Sequence, residues 1–163
     1  MQTQASRYVF PALGALYERC QRFAYPILRV AFGLWFIPHG CQKLFGWWGG
    51  NIAGVAKGMA AAGIEPGMFW AYYIGTLELV GGFLVAIGFL TRPVAALFFG
   101  FMLVAAFHFN WKLGYFWTSR GMEMPLLLLV LSLVILIRGG GDYSVDRRIG
   151  REIRRSKIGR AHV

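Results

Sequence analysis

The chain has 163 residues, 57% of them hydrophobic and 17% aromatic, with a mean hydropathy of +0.52. That length gives one domain, and that composition excludes an ordinary soluble one; the reading is an integral membrane protein, with Trp and Tyr at the bilayer interfaces. The formal charge of +10 does not point to nucleic acid, because seven Lys or Arg lie between Asp142 and Val163, beside a membrane span, where anionic lipid and the positive-inside bias account for them.

Over 8–24, Val9, Leu13, Leu16, Cys20 and Phe23 recur at helical spacing with Glu18, Arg19 and Arg22 between them. This predicts an interfacial helix, begun at Pro11, that leads into the membrane. The first span is expected over about 25–45, with Arg29 near one end and Pro38-His39-Gly40-Cys41-Gln42-Lys43 near the other. Cys20 and Cys41, placed on one helix, stand about 30 Å apart at the helical rise, beyond disulfide reach. No short apolar core with a small-residue cleavage site opens the chain, so the first span is expected to act as an uncleaved signal.

Gly46-Trp47-Trp48-Gly49-Gly50 breaks the helix, and Ile52, Val55, Ala56, Met59 and Ala60 then repeat as the apolar face of a short amphipathic helix over the bundle mouth. Gly63 and Pro66 end it. The second span is expected over 69–90, Thr91-Arg92-Pro93 as a tight turn, and the third span over 94–111. A polar and aromatic loop follows, then a fourth span over 122–137. That one is short for the roughly 20 residues a crossing takes, so Arg138 is expected to snorkel. Past Gly139-Gly140-Gly141, Val145, Ile149 and Ile153 recur every fourth residue, predicting a basic surface helix on anionic lipid. The expected organisation is an interfacial arm over 1–24, an all-α four-helix transmembrane bundle over 25–138 and a basic tail over 139–163.

Lys and Arg number three in the arm, one in the Thr91 turn and eight from Arg138 onward, against one in the first long loop and two in the third. Both termini are therefore expected on the cytoplasmic side. The second span has a single ionisable group, Glu78, near its centre in Gly75-Thr-Leu-Glu-Leu-Val-Gly-Gly82. A carboxylate at that depth is costly, so it is either protonated or faces a partner inside the bundle. Alternating helices place His39 and Lys43, His108 and Glu123 toward the outer half, above Glu78, and we expect these five groups to share a pocket.

Each also has a structural reading. Lys43 serves as a snorkelling anchor, His108 as an interfacial histidine, Glu123 as a partner of a helix dipole, and Glu78 as an interhelical hydrogen bond. His39 and His108 are chemically able to ligate haem, and the His and Glu set has metal-ligating atoms, but no diagnostic spacing supports a haem or a metal. A quinone suits the set better: its ring lies against aromatic side chains and its carbonyls meet His, Lys or Glu.

Pro38-His39-Gly40 with Gln42-Lys43-Leu-Phe-Gly46, Glu78-Leu-Val-Gly-Gly82, Gly88-Phe-Leu-Thr-Arg-Pro-Val-Ala-Ala96, His108 with Gly114-Tyr-Phe116, Gly121-Met-Glu123 and the closing Asp142-Tyr-Ser-Val-Asp146 come in order over roughly 29–146. In these blocks the chain resembles the DoxX family of small four-helix membrane proteins. The resemblance implies an inner-membrane, multi-pass subunit linked to a quinol oxidase and thiosulfate-to-quinone oxidation, a family whose members are often called oxidoreductases; related membrane proteins are also described as assembly or cargo factors. On that reading Glu78 and His39 handle protons as the catalytic pair, Lys43 and His108 bind the polar head of a quinone, and Glu123 balances charge. A redox or respiratory partner subunit supplies electrons, because the chain has no Cys motif, dinucleotide loop or flavin site. The competing expectations are a non-enzymatic scaffold or assembly factor, and a carrier of protons or a small molecule; an oligomer is compatible with each.

Overall fold

The computed structural model describes residues 13–150, and within them every regular element is helical. Helix α1 (Gly14–Phe45) runs for 32 residues, about 48 Å at the helical rise. It passes 24–25 without a break, so the described part of the expected arm and the first span are one helix. Pro26 and Pro38 lie inside it; each withdraws one amide, too little to end a helix whose buried face packs along its length. Gly46 does end it, in the left-handed conformation at φ 72°.

Helix α2 (Ile52–Ala61) is capped by the Asn51 side chain, which accepts from the Gly54 amide. Helix α3 spans Gly67–Ile87 and helix α4 spans Thr91–Leu113; both are long and apolar enough to cross a membrane. Each carries one π-helical turn, Leu77–Gly81 in α3 and Ala105–Asn110 in α4. Helix α5 (Glu123–Arg138) and the single turn α6 (Val145–Arg148) complete the described chain. Of the expected basic surface helix only α6 and Ile149 fall among the described residues; Ile153 lies outside them.

The tight turn expected at Thr91-Arg92-Pro93 is instead the first turn of α4. Proline is tolerated there because the first amides of a helix have no intrahelical acceptor. The reversal itself is made by Gly88 at φ 73° and Leu90 at φ 50°. Glycine is needed at 88 for a second reason: a Cβ there would strike the Arg29 guanidinium and the Ser144 Cβ.

Helices α1 and α3 pack backbone against backbone. A Cβ on Gly33 would collide with Gly82 and Ala86, one on Gly40 with Leu79, and one on Gly75 with the Leu44 side chain. Small residues on facing helices allow this approach, which gains dispersion contact where lipid offers no hydrophobic drive. The core then fills from the sides. Phe98 of α4 is fully buried between Phe32 and Phe36 of α1, with ring centroids 5.4 Å and 4.4 Å away. Val85 of α3 and Ile135 of α5 join the same cluster.

Candidate functional site

The α1–α3 glycine contacts set the register of the charged groups. With Gly40 against Leu79 and Lys43 beside Gly75, the Lys43 side chain reaches along α3 to the carboxylate of Glu78. Lys43 Nζ donates to Glu78 Oε2 at 2.6 Å, with side-chain exposures of 20% and 5%. The close approach of the helices makes this possible, and the π turn at Leu77–Gly81 contains the acid. Such a turn inserts an extra residue per turn and is frequent where a helix carries function. A charge-assisted bond between a half-buried ammonium and a buried carboxylate satisfies both groups at once.

The other three candidates show no hydrogen bond to this pair among the described residues, although His39 lies one turn from Lys43 and within range of its charge. His39 is exposed on the outer face of α1, its ring 6.3 Å from that of Trp35. Consecutive residues on a helix point about 100° apart, so burying Gly40 against Leu79 turns His39 away from α3. His108, in the π turn of α4, places Nε2 2.9 Å from the Ala62 carbonyl at the end of α2. Glu123 opens α5 and accepts from the Trp117 amide at 3.0 Å, tying down the aromatic loop. The expected five-member pocket is thus, in the structure, one ion pair and three separate contacts. Among the described residues no group of three or more His, Cys, Asp or Glu is placed to hold a metal ion.

A cavity of about 480 Å³ lies between α2, α3 and α4. Met59 and Ile64 line its α2 side, Trp70, Tyr73 and Ile74 form the α3 wall, and Phe101 stands on α4. Neither Lys43 nor Glu78 lines it, but Glu78 is one turn beyond Ile74 on α3, and the His108 to Ala62 contact holds α2 over its end.

A second constellation, at the opposite end of α3, was not legible as a site. Asp146 accepts from the Leu90 amide at 2.9 Å, and from the Thr91 amide and hydroxyl at 2.8 Å each. Leu90, the N-cap of α4, has no polar side chain, so Asp146 caps the helix from 55 residues away along the chain. Arg29, 2% exposed, donates to the carbonyls of Gly140, Ala86 and Tyr143, and the Tyr25 hydroxyl donates to Gly139. A cation thus meets the C-terminal ends of α3 and α5 while an anion meets the N-terminal end of α4. The sequence signal was a leucine in the N-cap position before Thr91, which calls for a capping group from elsewhere.

The DoxX family model matches residues 24–111. The chain belongs to the DoxX family. Among the similar proteins, the Inner membrane protein YqjF of Escherichia coli (strain K12) is 32% identical over 77% of this chain and 92% of its own length. "Putative oxidoreductase CatD" of Bacillus subtilis (strain 168) is 30% identical over 74% of this chain and 82% of its own. The Inner membrane protein YphA of Escherichia coli (strain K12) is 30% identical over 75% and 87%. No solved structure matches the chain. The DoxX match contains both halves of the Lys43–Glu78 pair, Arg29, Thr91 and His108, but ends before Glu123 and Asp146.

Proposed function

We propose that this DoxX protein is a multi-pass inner-membrane subunit, a four-helix transmembrane bundle of α1, α3, α4 and α5 with both termini cytoplasmic, that supports quinone-linked redox chemistry. The observation that carries the proposal is the Lys43–Glu78 ion pair, placed midway along α3 with the carboxylate 5% exposed. A paired acid and base at that depth is what a membrane protein needs to hold or pass a proton where water is scarce. Two protons accompany the two electrons that turn a quinone into a quinol. Here Lys43 and Glu78 serve the proton side, and a redox partner subunit supplies the electrons. His39, level with the Gly40–Leu79 contact, is the candidate for exchanging a proton at the outer face of α1. His108 and Glu123 support the site by holding α2 and the aromatic loop. The names of the relatives, two inner membrane proteins and one "Putative oxidoreductase", support the membrane and redox parts of this reading.

The experiment is lipid extraction from protein purified in mild detergent, together with quinol turnover in the parent membranes. Quinone in the extract and slower turnover on Glu78→Gln are expected; no quinone and unaltered turnover would remove the redox reading.

One observation favours a second reading, a non-enzymatic scaffold. Lys43 and Glu78 satisfy one another, and neither lines the cavity. A pair that only pins α1 to α3 predicts that Glu78→Gln lowers thermal stability and leaves turnover and bound ligand unaltered.

A further inference from the structure

Helix α4 carries a glycine that packing does not require. Gly33, Gly40, Gly75, Gly81 and Gly82 are each pressed against a neighbouring element, but a Cβ on Gly100 would meet no heavy atom within 4 Å. A glycine inside a helix is less favourable than alanine, and here no close approach offsets that. Gly100 is exposed, and what it provides is an open stretch in the helix surface. It lines the cavity of about 480 Å³, between Ala96 and Val104 on the same helix and across from Trp70 and Tyr73.

A groove of about 500 Å³ lies beside this cavity along α3 and α4, with Tyr73 and Leu97 lining both, and runs past Val80 to Leu84. From Tyr73 to Leu84 is about 16 Å at the helical rise. The upper chamber is walled by Trp70, Tyr73, Phe101 and Phe109; the groove is lined almost wholly by apolar side chains.

We infer that chamber and groove form one binding site for a lipid-soluble molecule with a flat ring and a long apolar tail, the ring against Trp70 and Tyr73 and the tail along Val80 and Leu84. The site is entered sideways from the bilayer, and Gly100 sets the width of the ring chamber. This inference rests on the quinone reading for the nature of the ring, and adds where it binds. Aromatic walls grip a ring on its faces, and Tyr and Trp each carry one group able to hydrogen-bond a ring oxygen.

The test is equilibrium binding of decylubiquinone to the full chain in mild detergent, for the parent and for Gly100→Ala, Gly100→Leu and Gly100→Phe. Weakening should grow with side-chain size, reaching about tenfold for leucine, while thermal unfolding is preserved because the added atoms enter open space. Leu97→Trp narrows the neck of the site and stands in if the phenylalanine variant does not fold. Equal binding across a folded series overturns the site and leaves the Lys43–Glu78 reading intact. If native mass spectrometry shows Gly100→Leu displacing only phospholipid, or the variant changes the oligomeric state alone, the occupant is an acyl chain or a second copy and the inference fails. Glu78→Gln, assayed for turnover with binding retained, tests the earlier reading separately.

Discussion

Removing Lys43 and Glu78 one at a time and together separates the worth of their pairing from the worth of each side chain. Breaking a buried pair from one side costs about 3–5 kcal/mol, whereas replacing both partners by apolar groups is often close to neutral. The two ends are unequally buried, at 20% and 5% side-chain exposure. Lys43→Met strands the more buried carboxylate and is expected to cost about 3 kcal/mol; Glu78→Leu leaves an ammonium with a route outward and should cost about 1–2 kcal/mol. The double variant should return to within about 1 kcal/mol of the parent, giving a coupling of about 3–5 kcal/mol in magnitude. Loss of helicity on titrating SDS into mild-detergent micelles measures each corner of the cycle. Additivity within about 0.5 kcal/mol would refute the claim that the two groups stabilise the fold as a pair.

Three further outcomes follow from the packing. Asp146→Ala removes the acceptor of three bonds at the start of α4 and should lower stability by about 2 kcal/mol in the same SDS titration, with Asp146→Asn milder; no loss would mean that α4 is capped otherwise. Gly40→Leu forces α1 from Leu79 and should cost about 3 kcal/mol or more, read as a lowered melting temperature in detergent; a tolerated leucine would contradict the backbone contact. His108→Phe removes the link to the Ala62 carbonyl, so amide exchange over 52–61 should quicken while α1 and α3 keep their protection; unchanged exchange would show that other contacts hold α2.

The helices were legible because hydrophobic runs and glycine breaks act locally. Gly46, Gly63 and Pro66 mark real boundaries, and the expected second and third spans differ from Gly67–Ile87 and Thr91–Leu113 by two or three residues at each end. Where local reasoning erred, a distant contact was responsible. Thr91-Arg92-Pro93 reads as a turn until Asp146 supplies the cap that lets α4 begin there.

The candidate site shows the same division. An acid centred in an apolar run is conspicuous in any reading of the chain, and His39, Lys43, His108 and Glu123 all offered themselves as its partners. Composition and periodicity by themselves determined an all-helical chain with a costly carboxylate at Glu78, since both follow from the residues' own transfer free energies and spacing. Which base answers that carboxylate was decided by tertiary structure alone. Glycines 33, 40, 75 and 82 bring α1 and α3 into contact in one register, and that register turns Lys43 inward and His39 outward although they are one helical turn apart.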